Sequence, residues 1–275
     1  MEFLPFISYI MSDLLSRNPN FEGLYCSFSE KILNSILSSD DDNSYVQTLL
    51  KYSNIKFPEV MMCIVLELSE KNQKKYMYDQ IKEDFKHIFT NSFSTVYKKN
   101  LICLIPADNS GILPIEKTEK LKDLFNSDIL SITISSSFSD IFYAKKYYTQ
   151  CIKSQEILRK FNMKKDLTYY KDYVFYTLLL NINDRNILYD NIHDALLILR
   201  EYDEKNGSSL YVTLRTYLSC NCNLKDTAAM LYVHRNSLSY RINKILELTS
   251  INLSDSATIF NLNLSFCIER YLNLI

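Results

Sequence analysis

The chain has 275 residues, of which 47% are hydrophobic, and a formal net charge of −1. This length can bury the cores of two compact domains, and the near-neutral charge means that any nucleic-acid surface must be local. No run approaches the roughly 18–20 apolar residues that cross a bilayer, and the apolar N-terminus lacks the basic start of a signal peptide. Seven cysteines without disulfide or zinc spacing suit a reducing compartment. We therefore expect a cytoplasmic protein with no membrane contact, metal or cofactor.

Glycine is scarce, with three residues in the whole chain. Loops of the form GxGxxG or GxxxxGK[ST], which cradle nucleotide phosphates with backbone N–H groups, need more glycine than that. This scarcity excludes the common nucleotide-binding classes that depend on such loops.

The first 55 residues are predicted to be a helical segment. Apolar residues recur at helical spacing up to Ile36, and a polar run over residues 38–44 interrupts them. A short second helix is predicted between Val46 and Tyr52. The three consecutive aspartates at 40–42 are interpreted as a solvated loop rather than a cation site.

Residues 56–164 are predicted to form an α+β domain. The apolar run Val60–Leu68 is typical of a strand buried on both faces. Further along the chain, period and turn residues predict a helix, a hairpin, a helix, a strand and a long helix. The first helix is marked by the apolar residues Tyr78, Ile81, Phe85 and Ile88, and the hairpin by the strands Phe93–Tyr97 and Leu101–Ile105, joined through Lys98-Lys99-Asn100. The second helix runs from Pro114 to Phe125. The strand is Ile129–Ile134 and the long helix Asp140–Phe161. The order β-α-β-β-α-β-α indicates one sheet with helices packed against it.

Connecting helices are predicted over residues 165–205, at Val174–Leu180 and Ile192–Arg200, after a short element with the sequence LTYY. The segment Glu204–Ser209 contains the only glycine of this half and is interpreted as a boundary. Residues 206–275 are predicted to be a helical domain.

Within that domain, the stretch from Asn223 to Thr249 predicts two helices joined by a short turn. Asn223 is a favourable N-cap for a helix that begins at Leu224. Ala228 and Ala229 are small enough to let a second helix cross closely. A turn at residues 231–233 then leads into a longer helix over about 234–249, which is the helix-turn-helix plan.

The longer helix has two different faces. Leu238, Ile242 and Ile245 form a buried stripe, and amide, hydroxyl and guanidinium groups lie opposite them. Between residues 209 and 250 there are five Lys/Arg and two acids, so this segment carries +3 in a chain of −1. Such a face suits the reading of base edges and the holding of phosphates. Candidates for base-edge contact are Arg235, Asn236, Ser239 and Tyr240; candidates for phosphate contact are Lys225, Ser237, Arg241 and Lys244. His234, at the start of the helix, suits a DNA contact and equally a cap or a packing role.

These residues resemble the C-terminal helix-turn-helix of the PucR/CdaR family of bacterial transcription regulators. The family pattern Asn-x-x-x-Thr-Ala-x-x-Leu, followed by Val-His-Arg-Asn-Thr-Leu-x-Tyr-Arg, is matched at eleven positions and conservatively at a twelfth, Ser237 for Thr. The matching positions are Asn223, Thr227, Ala228, Leu231, Val233, His234, Arg235, Asn236, Leu238, Tyr240 and Arg241. The resemblance implies a Fis-type unit that binds double-stranded DNA as a homodimer on paired half-sites.

The middle of the chain resembles the degenerate GGDEF-like module of the same family, so that the resemblance covers about residues 28–275. The sequence leaves open both the existence and the identity of a small-molecule effector. Ser239 departs from the family, which commonly has a basic or amide residue there. Sequence preference therefore cannot be carried over to this chain.

Two other functions compete with DNA binding. A nucleotide cyclase would need glycines and acids in the central hairpin, where this chain has Tyr97-Lys98-Lys99-Asn100. That sequence argues against an enzyme. The remaining alternative is a ligand-sensing or protein-interaction subunit with weak or no direct DNA binding.

Overall fold

The computed structural model describes residues 28–38, 44–51, 53, 55–69, 75–124, 129–163 and 167–274. The predicted apolar helix near the N-terminus and the aspartate loop at 40–42 lie outside these residues. The chain divides into two compact units, Met1–Thr177 and Leu178–Ile275.

The first unit is built on a five-stranded sheet. The strands are β1 (Met61–Leu68), β2 (Phe93–Tyr97), β3 (Asn100–Pro106), β4 (Ile129–Ile134) and β5 (Thr168–Tyr169). They lie in the order β2-β3-β1-β4-β5, and only the pairing of β4 with β5 is parallel. Tyr97 pairs with Asn100 across a two-residue turn in which Lys98 and Lys99 have φ values of 47° and 66°. This is the backbone twist that tight hairpins prefer.

Helices cover both faces of the sheet. They are α1 (Phe28–Ser38), α2 (Ser44–Lys51), α3 (Lys75–Ile88), α4 (Ile115–Asp123) and α5 (Ala144–Lys160). Side chains of β1 alternate between two cores: Cys63 and Val65 pack with α1, α2 and α5, whereas Ile64 and Leu66 pack with α3 and α4. Because neither face of β1 meets water, its sequence is apolar without alternation.

The predicted order of elements in this unit is confirmed, with two differences in detail. The long helix begins as a 3-10 turn at Ile141–Tyr143, where the Asp140 carboxylate accepts the N–H of Phe142, and becomes α5 at Ala144. The LTYY element supplies β5, which joins the sheet beside β4. Two residues are too few to show a strand period, so this strand is defined by its pairing alone.

The second unit is helical. Its helices are α6 (Val174–Leu179), which spans the division between the units, α7 (Arg185–Asp190), α8 (Asp194–Asn206), α9 (Leu210–Ser219), α10 (Leu224–Met230), α11 (Arg235–Thr249) and α12 (Ser256–Tyr271). Sequence analysis did not predict α7. Leu196 and Leu199 of α8 are fully buried in the same core as α9 and α11, so this predicted connecting helix belongs to the compact unit. Gly207, with φ 61°, caps α8 at a turn inside the unit.

A buried charged network joins three helices of this unit. Glu269 of α12 is fully buried, and one of its carboxylate oxygens lies 2.9 Å from the guanidinium of Arg200 of α8. The hydroxyl of Tyr211, in α9, donates to the other oxygen and accepts from Arg200 at 3.1 Å. A buried carboxylate is stable only with such partners, so the network fixes α8, α9 and α12 in one arrangement.

Within the ranges that the structure describes, no helix combines the length and the apolar character needed to cross a membrane.

The Tyr211→Phe variant tests the charged network. We expect its free energy of unfolding at neutral pH to fall by about 1–3 kcal/mol, because a buried carboxylate oxygen loses its donor. Burial, followed by the hydrogen bond to Glu269, raises the pKa of Tyr211 to about 12. The unfolded chain loses this proton near pH 10, so the stabilisation by Tyr211 decreases as the pH rises from about 10 to 12. Urea denaturation should therefore show the difference between wild type and variant shrinking over that window.

Tyr232→Phe is the matched control, since Tyr232 is 97% exposed. Its stability should follow the wild type at every pH. Parallel pH curves for wild type and Tyr211→Phe would contradict the role given to the network.

Candidate nucleic-acid interface

Helix α10 begins where Asn223 caps it. The side-chain oxygen of Asn223 accepts the backbone N–H groups of Lys225 at 2.9 Å and Asp226 at 3.2 Å. Helix α10 has seven residues, and a helix this short is marginal without such a cap. The predicted cap is confirmed.

The turn after α10 depends on one strained residue. Tyr232 has φ 52°, and the N–H of Val233 bonds back to the carbonyl of Ala228 at 3.0 Å, which closes the turn. Ala228 is buried as predicted, but Ala229 is exposed. The second buried small residue is Thr227, so the predicted pair of packing alanines is wrong by one position. Residues 227 and 228 therefore form the buried side of α10.

His234 caps α11. Its φ and ψ are extended, and its Nδ1 accepts the N–H of Asn236 at 3.2 Å. This hydrogen bond requires an unprotonated Nδ1. Of the roles that sequence analysis left open for His234, the structure shows the cap.

The two faces of α11 are those that its sequence predicts. Leu238 and Ile245 are fully buried, and Ile242 is 7% exposed. The opposite surface carries the exposed side chains of Arg235, Asn236, Ser237, Tyr240 and Asn243. This polar surface is continuous along the first three turns of the helix, which is the part that usually enters a DNA groove.

One flank of α11 borders a cleft of about 530 Å³. The α11 side of the cleft is formed by Asn236, Ser237, Tyr240, Arg241 and Lys244, and the other side by Tyr202 and the turn Gly207–Leu210 between α8 and α9. Three of the four predicted phosphate contacts, Ser237, Arg241 and Lys244, therefore lie together. Lys225 is exposed in the first turn of α10 and does not line the cleft, and neither do Arg235 and Ser239.

The two cations of the cleft are held differently. Nη1 of Arg241 lies 3.0 Å from the Ser209 hydroxyl and 3.4 Å from that of Thr213, so this guanidinium connects α11 to the first turn of α9. The ammonium of Lys244 pairs with Glu247 at 3.0 Å and lies 5.8 Å from the Tyr202 ring centre. The hydrogen bond with Glu247 raises the pKa of Lys244 above its ordinary value.

The turn beside Arg241 is stabilised by Asp203. Its carboxylate accepts the N–H groups of Leu210 and Tyr211, each at 2.8 Å, and the hydroxyl of Ser208. These three donors stabilise the negative charge of the Asp203 carboxylate within the turn itself. Sequence reasoning missed Tyr202, Ser208 and Ser209, since they precede α11 by more than 25 residues and no spacing pattern connects them to it.

The cap of α11 can be tested by stability. His234→Ala should lower the free energy of unfolding by about 1 kcal/mol, because the N–H of Asn236 loses its acceptor. His234→Asn should restore most of this loss, since an asparagine oxygen accepts at the same place. Urea denaturation at neutral pH measures both variants, and an alanine variant as stable as the asparagine variant would show that the cap contributes nothing.

Residues 210–268 match the family model described as the PucR C-terminal helix-turn-helix domain. The match begins at the first residue of α9 and ends within α12, so it contains both helices of the pair and every predicted DNA-contact residue.

Similar proteins of Bacillus subtilis (strain 168) carry regulatory names. The chain is 31% identical over 128 residues to the proline-responsive transcriptional activator PutR, covering 46% of this chain and 31% of that protein. It is 22% identical over 207 residues to the DNA-binding transcriptional activator AdeR, covering 73% and 48%. It is 34% identical over 95 residues to the purine catabolism regulatory protein, covering 34% and 17%. The chain thus spans less than half the length of each of these curated relatives. Its residues 210–268 are similar to the C-terminal helix-turn-helix domain described for PucR.

Proposed function

We propose that this protein is a sequence-specific DNA-binding transcriptional regulator that inserts α11 into the major groove. The observation that carries the proposal is the division of α11 into a face buried by Leu238, Ile242 and Ile245 and a polar face left to solvent. The match to the PucR C-terminal helix-turn-helix domain and the names of the relatives support it. The site of action is then the compartment that contains the chromosome.

The base readers are expected in the first two turns of α11. Arg235 and Asn236 are exposed at its beginning, and Tyr240, 71% exposed, follows one turn later. Arginine donates two hydrogen bonds to guanine, whereas asparagine donates one hydrogen bond to adenine and accepts one from it. Ser239 is half-buried and short, so its contribution to base reading is a single hydroxyl contact.

The cleft beside α11 is expected to hold a backbone phosphate. The major groove is about 12 Å wide, which a helix with its side chains nearly fills, so a phosphate chain passes along each flank of the helix. Lys244 is available there, because its partner Glu247 has a side chain that is 68% exposed, and an ion pair with such a partner contributes little and is easily exchanged for a phosphate. Arg241 is already bonded to Ser209 and Thr213. We therefore assign Arg241 mainly to positioning α11, and Lys244 and Ser237 to the phosphate.

We further propose that the protein binds as a homodimer. One α11 contacts only a few base pairs, and two copies bound to half-sites about 34–36 Å apart lie on the same side of the duplex. The family resemblance implies such paired half-sites. Control by a small effector is also proposed, because one relative is named for its response to proline.

For the sheet unit we infer a degenerate GGDEF-like module without catalysis. The order of its strands and helices supports this assignment. The β2–β3 turn consists of Lys98 and Lys99 and offers neither a carboxylate nor a glycine for Mg²⁺ and triphosphate. This hairpin therefore lacks the residues with which a cyclase would bind Mg²⁺ and triphosphate.

Fluorescence anisotropy with DNA from upstream of its own coding sequence, and with a scrambled duplex, tests the function at two salt concentrations. Wild type should prefer its own sequence. Arg235→Ala should lower this preference by about 1–3 kcal/mol, because a base contact is lost. Lys244→Gln should weaken both duplexes alike and reduce the slope of log affinity against log salt by about one, because one phosphate contact is lost. The same titration carried to saturation gives the number of chains per duplex.

Lys205→Gln is the matched control, since this lysine of α8 is 75% exposed and does not line the cleft. It should leave affinity and salt slope unchanged. Absence of binding to either duplex at low salt would overturn the proposed function in favour of a ligand-sensing or protein-interaction subunit.

The different roles of the two cations give a further prediction. Arg241→Met should lower both the free energy of unfolding and the DNA affinity, since it removes the hydrogen bonds between α11 and α9. Lys244→Gln should lower DNA affinity alone, because its partner Glu247 is exposed. Thermal unfolding and anisotropy on the same preparations compare the two, and an Arg241→Met variant of undiminished stability would return Arg241 to the phosphate contacts.

A further inference from the structure

A second polar pocket lies at one edge of the sheet in the first unit. It is formed where the chain leaves three strands: after β3 at Asn109–Gly111, after β4 at Ser135–Ser137, and at the end of β5 at Tyr169 and Lys171. These three strands run parallel to one another, since β3 and β4 are each antiparallel to β1. Their carboxyl ends therefore meet at one edge of the sheet, where the segments that follow β3 and β4 and the end of β5 form the polar lining of the pocket.

The walls of this pocket are fixed by hydrogen bonds from outside it. The Ser135 hydroxyl accepts the N–H of Cys63 at 2.9 Å and donates to the carbonyl of Ser136 at 2.7 Å. The N–H of Ser136 bonds to the side chain of Gln150 in α5 at 3.0 Å. The hydroxyl oxygen of Tyr169 accepts the N–H of Leu113 at 3.2 Å. The lining is thus formed before any ligand arrives, which lowers the entropic cost of binding.

Several donors of the pocket remain free. Among the residues that the structure describes, neither the backbone N–H nor the hydroxyl of Ser137 has a hydrogen-bond partner. The side-chain amide of Asn109 also has none. The Tyr169 hydroxyl keeps its own proton for donation, because it acts as an acceptor toward Leu113. A Cβ at Gly111 would lie 3.8 Å from the Ser137 hydroxyl oxygen, and this glycine has φ 62°. A side chain there would be strained and would narrow the pocket beside these donors.

Charge decides what these donors would bind. Lys171 is the only charged residue among the eight that line the pocket, and its ammonium lies 5.1 Å from the centre of the Tyr169 ring. The nearest acid in the loop after β3 is Asp108, whose carboxylate already accepts the N–H and hydroxyl of Ser110. Donors without a competing carboxylate, together with one cation, form an oxyanion site.

We propose that this pocket binds the oxyanion group of a small molecule, a carboxylate or a phosphate, with Lys171 as the counter-charge and Ser137 as the main neutral donor. Its volume of about 150 Å³ accommodates an oxyanion group with a short organic part. This site lies apart from the DNA-binding helices in the chain and does not depend on the function proposed for them.

Isothermal titration calorimetry of the full chain, with sodium phosphate and with sodium acetate at constant ionic strength, tests the site. We expect one saturable site per chain for at least one of the two anions, and the tighter anion identifies the oxyanion. Lys171→Gln should weaken its binding at least tenfold, because a charge-assisted hydrogen bond is lost. Ser137→Ala should weaken it several-fold through the loss of a neutral donor.

Lys146→Gln is the matched control. This lysine also lies over a tyrosine ring, 5.8 Å from the centre of Tyr147, but it does not line the pocket. It should bind the anion like wild type. The absence of saturable binding of both anions would overturn the proposal. An equal loss of affinity in Lys171→Gln and in Lys146→Gln would also overturn it, since this would indicate attraction by general surface charge. Wild-type affinity in both single variants, Ser137→Ala and Lys171→Gln, would overturn it as well. Thermal unfolding of each variant, expected at the wild-type temperature, ensures that a loss of binding is not a loss of fold.

Discussion

The burial of three side chains on one face of α11 is the constraint on which the C-terminal unit depends. Leu238, Ile242 and Ile245 pack into a core shared with α8, α9 and α12. Removing such side chains from water contributes about 1.5–3 kcal/mol each, which is enough to fix the rotation of the helix about its axis. Once this rotation is set, the opposite face cannot turn inward, and its polar groups stay available to a partner.

Polar contacts at the helix ends complete this arrangement. Helices α9 to α12 have between seven and sixteen residues, and helices of that length are marginal on their own. Carboxylate, amide or imidazole side chains satisfy the first N–H groups of all four, from Asp203, Asn223, His234 and Asp255 respectively. The buried Glu269 with Arg200 and Tyr211 then fixes the frame against which α11 lies. The network contributes specificity of arrangement, because its charges offset their own desolvation only in one geometry.

The sheet unit follows a different rule. Its central strand β1 has antiparallel neighbours on both sides and helices on both faces. The backbone of β1 therefore hydrogen-bonds to both neighbours, and its apolar side chains are buried in the two cores. Polar side chains that line a pocket lie at one edge of this sheet, where three strands end. The serine-rich pocket lies at such an edge, and the cleft beside α11 likewise lies where the chain turns between two helices. In the sheet unit the polar groups that line the pocket lie beyond the ends of strands, whereas those of α11 lie along the helix itself.

The sequence by itself determined the local elements: the strand periods, the Asn223 cap, the turn before α11 and the buried stripe of that helix. Each of these depends on residues close together in the chain, whose spacing records the 3.6-residue or two-residue period of the backbone. It also predicted Ser237, Arg241 and Lys244 as phosphate contacts, and all three lie on a single helix. Only the tertiary structure decided what faces these residues. The turn at Ser209 and the ring of Tyr202 reach α11 through packing of the whole unit, and no nearby residue pattern encodes such a contact. The two-residue strand β5 and the Glu269 network have the same origin, because their energy comes from partners far away in sequence.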